Sequence, residues 1–295
     1  MFEKLLSQRG ISLDRLRNFA AVAESGSIAR VADGDPVRQS LISRQIGELE
    51  EFFGVELTRR RGKGIEPTPA GLDLAARIRL HLQGLEDFKT AVADQPLEYR
   101  FAAGNSVIEW MLVPMLADLR KKVPGLLIQL YDERSRDVVR GLSDHRFDFG
   151  LVRRTAVKRP LKFHPLRKIG YALFVPRGWD AKGEAEIFGR QPLAATFGGE
   201  FQDELIAVAG KRRKNLSITH HCASFTQAAQ LVRCGVAAAI LPEMAETVLE
   251  REARRIELPW LSKYKREIGV AWHGRLLETR SKAREVLEWL FSRSK

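Results

Sequence analysis

The stretch GDPVRQSLISRQIGELEEFF, residues 34 to 53, places Ile42, Ile46, Leu49 and Phe53 at steps of four, three and four. That spacing draws one apolar stripe along a helix and turns the other positions outward, among them Arg38, Gln39, Ser43 and Arg44. The opening Gly, Asp and Pro punctuate the helix and do not break it. Gly34 closes a preceding helix, Asp35 is a preferred N-cap, and Pro36 suits the first helical position. Arg38 then lies inside the helix. Upstream, LDRLRNFAAVA aligns Leu16, Phe19, Ala20 and Ala23 on one face, and Ser27 caps a short second helix over Ile28 to Asp33.

Downstream, FFGVELTRRRGKGIEPT reads as two short strands around a tip bearing Arg60, Arg61 and Lys63. Three helices and a basic hairpin predict a winged helix-turn-helix over residues 1–68. A helix fits the major groove, where Arg can contact guanine and Gln adenine, while wing cations reach phosphates. Residues 69–95 continue as a linker helix with Leu74, Ile78, Leu82, Leu85, Phe88 and Val92 on one stripe. This exceeds what so small a domain needs for its own core, so the helix is expected to pair with a copy of itself. DQP, residues 94 to 96, ends it.

Residues 96–295 alternate strand-like and helical runs, the pattern of an α/β unit with a parallel sheet. YRFAAG, LLIQLY, FDFGLV and ALFVP are separated by helices over Glu109 to Lys122 and Ser135 to Asp144. A second set follows: PLAATF, a helix near Phe201 to Gly210, LSITHHC, a helix over Phe225 to Cys234, and VAAAILP. EIGVAWH and a helix over Leu277 to Ser292 close the chain. The expectation is two lobes with a cleft, lobe 1 over about 97–175 and 265–295 and lobe 2 over about 176–264. Asn105 and Ser106 end a strand and start a helix, which makes an anion-holding site, and Arg153 follows another strand. Thr196, Ser224 and Phe225 end strands of the second lobe and face the first.

Several classes are set aside. No G-x-S-x-G, Walker, G-x-G-x-x-G or H-E-x-x-H motif occurs, so no enzyme, cofactor or metal is expected. His220 and His221 are strand neighbours that point to opposite faces, which gives them structural roles. The two cysteines, Cys222 and Cys234, are read as small buried residues. No apolar run is long enough to cross a bilayer, which places the protein in the cytoplasm and away from membranes. The net charge of +12 suggests a polyanionic partner, yet residues 1 to 95 hold 14 Lys plus Arg and 14 Asp plus Glu. DNA contact therefore depends on local clustering of cations.

With the parts in this order, the chain resembles LysR-type transcriptional regulators. LRNFAAVAESGSIARVA, SLISRQIGELEEFFGVEL and PTPAG carry the resemblance over residues 13 to 72; FDFGLV, CGVAAAILP and the terminal strand and helix extend it. It implies a multidomain α+β and α/β fold: a winged helix-turn-helix, a long linker helix, and a two-lobed α/β effector domain like the periplasmic solute-binding proteins. It also implies sequence-specific binding to double-stranded promoter DNA, control by a small-molecule effector, a homodimer through the linker helix that assembles to a homotetramer, and contact with RNA polymerase. Ser27, Arg38, Gln39, Ser40, Ser43 and Arg44 fall where the family meets DNA, with Arg60, Arg61 and Lys63 in the wing. Asn105, Ser106, Arg153, Thr196, Ser224 and Phe225 fall where it builds its effector cleft, and the arginines there favour an anion. The sequence departs from the family at Asp35, Arg38 and Ser40, where a Leu, a Ser cap and a Pro are usual. A second reading stays open: a cytoplasmic ligand-binding or protein-interaction module whose winged helix reads DNA weakly.

Overall fold

The computed structural model describes residues 3, 10–62, 64–180, 183–197, 200–212 and 216–294; Lys63, expected in the wing, lies outside them. Helix α1 (Leu13–Ser25) starts where the Ser12 hydroxyl accepts from Arg15 N, and α2 (Ile28–Val31) where Ser27 accepts from Arg30 N. The second helix is shorter than expected because Asp33 and Gly34 both take positive φ, 52° and 80°. Gly34 meets no steric cost there. Helix α3 (Pro36–Phe53) begins at the predicted cap: Asp35 Oδ1 accepts from Val37 N at 2.8 Å and Arg38 N at 3.4 Å. Strands β1 (Thr58–Arg61) and β2 (Gly64–Pro67) pair antiparallel as the wing, and Glu50 Oε1 ties α3 to it by accepting from Leu57 N and Thr58 N.

Helix α4 (Pro69–Val92) is the linker helix. Its first half completes the winged-helix core, where Ala75 and Ile78 join Phe19, Val22, Ile42, Ile46, Leu49 and Leu57. The second half leaves Leu85, Phe88 and Val92 exposed, at 58%, 70% and 74% of their surface.

Lobe 1 opens with β3 (Leu97–Ala103), a helical turn over Asn105–Val107, a π turn over Ile108–Leu112 and α5 (Val113–Lys122). It continues through β4 (Leu126–Asp132), α6 (Ser135–Ser143), β5 (Phe149–Arg153) and β6 (Leu161–Ile169). Lobe 2 comprises β7 (Tyr171–Pro176), α7 (Glu184–Arg190), β8 (Leu193–Thr196), α8 (Glu200–Lys211), β9 (Ile218–Cys222), α9 (Phe225–Arg233), β10 (Ala238–Pro242), α10 (Glu246–Leu249) and β11 (Ala253–Ile256). The chain then returns to lobe 1 as β12 (Arg266–His273), α11 (Leu276–Thr279) and α12 (Ala283–Phe291). The sheets run β4-β3-β5-β12-β6 and β11-β7-β10-β8-β9.

Four expectations are corrected. The lobes change at Gly170 and not near 175, because Tyr171–Pro176 pairs antiparallel with β10 in the second sheet. Each sheet is mixed: β3 is parallel to β4 and β5, but β12 comes back from the other lobe and runs antiparallel to β5 and β6. The terminal helix is broken, since Arg280 turns inward with φ −101° and Lys282 takes φ 58°. Cys222 is buried as read, but Cys234 caps the end of α9 and is exposed.

Candidate DNA-reading surface and inter-lobe cleft

The outer face of α3 is built by burial of its inner one. Ile42, Ile46 and Leu49 are at most 4% exposed, and Arg15–Glu48 at 2.6 Å and Asn18–Gln45 at 2.7 Å lock α3 onto α1. The remaining positions point away. Gln39, Ser40, Ser43 and Arg44 line one shallow groove with Ile28 of α2. Ser27, at the same edge, spends its hydroxyl on the α2 cap.

Without DNA these side chains hold local partners. Arg38 Nη1 meets Asp33 Oδ2 at 2.9 Å, Gln39 Nε2 donates to Gly34 O at 3.1 Å, Ser40 Oγ to Pro36 O at 3.0 Å, and Arg44 Nε to Glu48 Oε1 at 2.9 Å. Asp33 and Arg38 are both more than half exposed, and such pairs are worth about 0–1 kcal/mol, so DNA displaces them at little cost. Arg60 is exposed at the wing, and Arg61 pairs with Glu66 at 3.1 Å.

Between the lobes lies a cavity of about 590 Å³. It opens at the carboxyl ends of β3, β5, β8 and β9, where the sequences of both lobes pass from strand to helix or loop, the common ligand position in α/β folds. All six residues selected from sequence line it: Asn105, Ser106 and Arg153 from lobe 1, Thr196, Ser224 and Phe225 from lobe 2. Ser106 is 9% exposed at the start of the helical turn. Ser224 Oγ caps α9 by accepting from Gln227 N and lies 2.7 Å from Thr226 Oγ1, which in turn donates to Asn105 Oδ1 across the cleft.

Three cleft residues escaped the sequence reading. Arg266 opens β12 at the second crossing between the lobes, where its guanidinium meets Glu204 Oε2 of α8 at 2.7 Å and the Tyr264 hydroxyl at 3.0 Å. Tyr171 opens β7 at the first crossing and stacks on Phe201 with centroids 4.3 Å apart. Burial pushes the Tyr171 hydroxyl up to about 12, against the pull of Arg266 and Arg153 toward ionisation. It is neutral at any ordinary pH and serves as a hydroxyl donor. Thr226 is the third. None carries a local motif; the first two reach the cleft only because the chain crosses between lobes at those points. The rim is not uniformly cationic, since Asp132, Glu133 and Asp137 line it beside Arg134. Among the described residues no group of three or more His, Cys, Asp or Glu is arranged to hold a metal ion, and no helix is long and apolar enough to cross a membrane.

Comparison with known proteins agrees with this geometry. Residues 13–72 match the model of the bacterial regulatory helix-turn-helix protein, lysR family, and residues 95–294 match that of the LysR substrate binding domain. The chain is 24% identical over 243 residues to a probable hydrogen peroxide-inducible genes activator of Mycobacterium leprae, covering 79% of this chain and 78% of that protein. It is 25% identical over 258 residues to the probable HTH-type transcriptional regulator LrrA of Synechococcus elongatus, covering 84% and 87%. In fold it is similar to full-length CbnR complexed with its target DNA, at TM-score 0.62 and 22% identity over 96% of this chain and all of that one. A full-length OxyR variant from Pseudomonas aeruginosa aligns at TM-score 0.67 and 16% identity, covering 97% and 95%. Two family models together span the winged helix and both lobes, and on that ground the chain belongs to the LysR family of DNA-binding transcriptional regulators, with an N-terminal helix-turn-helix and a two-lobed effector-binding domain.

Proposed function

We propose that this protein binds a promoter through α3 and the wing and changes its state there when a small organic anion enters the inter-lobe cleft. The observation that carries the reading is the convergence of Asn105, Ser106, Arg153, Thr196, Ser224 and Phe225, from separate strand ends, on one cavity of about 590 Å³. That size suits a drug-like or metabolite-sized ligand, and the lining combines aromatic walls with a few placed polar groups. Arg153 and Arg266 favour an anion, the hydroxyls of Ser106, Thr196, Ser224 and Tyr171 supply donors, and Phe201 and Phe225 cover an apolar body.

Asn105 and Thr226 join the lobes without ligand. A ligand held by both lobes binds the closed arrangement more tightly than an open one and thereby shifts the population between them. On DNA, Arg38, Gln39, Ser40, Ser43 and Arg44 enter the major groove, with Ser27 at the helix edge, and Arg60, Arg61 and Lys63 contact phosphates. Leu85, Phe88 and Val92 join two chains, and such dimers assemble as tetramers that influence RNA polymerase at the promoter. The protein works in the cytoplasm, catalyses no reaction and needs no cofactor.

The test is a crystal of protein purified from its native cells. Density for a small acid between Arg153, Arg266 and Ser224 is the expected result, with melting raised by the same acid and not by its amide. A water-filled cleft, together with no stabilisation by any small acid of the cell extract, would refute the reading.

A further inference from the structure

Arg280 is a buried charge that neither DNA reading nor ligand binding uses. Its side chain is 3% exposed, as is that of Asp87 in the linker helix, and Asp148, just before β5, is 9% exposed. Arg280 Nε donates to Asp87 Oδ2 at 2.7 Å, Nη1 to Asp148 Oδ1 and Nη2 to the carbonyl of Glu98 on β3, while the guanidinium lies 4.5 Å from the Tyr99 ring centre. The carboxylates are further satisfied: Ser281 N donates to Asp87 at 3.2 Å and Arg100 N to Asp148 at 2.8 Å. Burial pushes the Asp148 carboxyl up even beside Arg280, so the guanidinium is what keeps charge tolerable there.

Two further contacts run along the same helix. Arg79 Nε donates to Asp144 O at 2.7 Å, and Gly84 packs so closely on α11 that a Cβ would stand 3.1 Å from Thr279 O. The lobes, by contrast, are joined by two single-strand crossings, by the Thr226–Asn105 bond and by Arg266 with a half-exposed Glu204.

A planar guanidinium shared between two carboxylates fixes direction as well as distance, which a hydrophobic contact of equal strength does not. We infer that Arg280 is a positioning residue that welds the second half of the linker helix to lobe 1 through Asp87 and Asp148. The helix that carries the winged helix and lobe 1 then turn as one body, and the moving joint of the protomer lies between the lobes. This stands whether or not the cleft binds an anion.

The test is a spin-label distance in the full-length chain, with Cys234→Ser as background and labels at Glu86→Cys on the linker helix and Lys121→Cys on lobe 1. Both positions are exposed. Dilution with unlabelled protein restricts the readout to distances within one chain. The expected result is one narrow peak, lost in favour of a broad or divided distribution in Arg280→Lys, and in Asp87→Asn should the lysine variant fail to fold. Leu290→Ala, a cavity in the lobe 1 core, serves as the control that lowers melting temperature while keeping the peak narrow. A distribution unchanged in the weld variants, or broadened equally by Leu290→Ala, would overturn the inference, because a merely structural role predicts either.

Discussion

Asp35 and Pro36 decide where the reading helix begins. Asp35 Oδ1 holds Val37 N and Arg38 N, so the first turn that presents Arg38 depends on one carboxylate. Replacement of an N-cap by Ala costs about 1 kcal/mol. Asp35→Ala is expected to lower the stability of the winged helix by about that amount in urea unfolding, and Asp35→Ser to recover most of it. Unchanged unfolding of the Ala variant would remove the cap from the account. This cap was legible in the sequence because capping is local: Gly, Asp and Pro each act within a turn of where they stand. Arg280 was illegible for the opposite reason. Its partners lie at 87, 98 and 148, and in sequence it read as one more charged residue on a helix that in fact breaks there to turn it inward.

The linker helix shows how far an element can be read from its own pattern. The stripe from Leu74 to Val92 was visible, but not that it serves two bodies: Ile78 is buried in the winged-helix core, whereas Leu85, Phe88 and Val92 project bare. Three apolar side chains a turn apart on an exposed helix face are the pattern of a seam between copies. Phe88→Glu is therefore expected to shift sedimentation from oligomer toward monomer at micromolar concentration while leaving the circular dichroism spectrum unchanged. An unaltered oligomer would move the dimer contact to some other surface. Strands β6 and β11 were missed, and both are sheet edges. LKFHPLRKI and ARRI carry the charges, and in β6 the proline, that edges tolerate and central strands do not, so their composition hides them.

For the whole molecule, the order of parts was readable and the exchange between them was not. Alternation of strands and helices gave two lobes, and the six cleft residues chosen at strand ends do converge on one cavity. Tyr171 and Arg266 were lost because each stands at a crossing between lobes, and only the sheet order reveals which strand leaves and which returns. The cleft, the linker helix and the reading helix then form one path: ligand against both lobes, lobe 1 against α4, and α4 inside the core that holds α3. At the end of that path the central claim is that α3 reads sequence. It is tested most directly by the affinity of the full-length protein for DNA upstream of its own gene and for a shuffled duplex of the same length, over a salt series. The account predicts tighter binding to the native duplex by roughly 10³-fold or more at physiological salt, weakening of both complexes as salt rises, and a smaller ratio for Arg38→Ala with its fold intact. Equal affinity for the two duplexes at every salt concentration would contradict it.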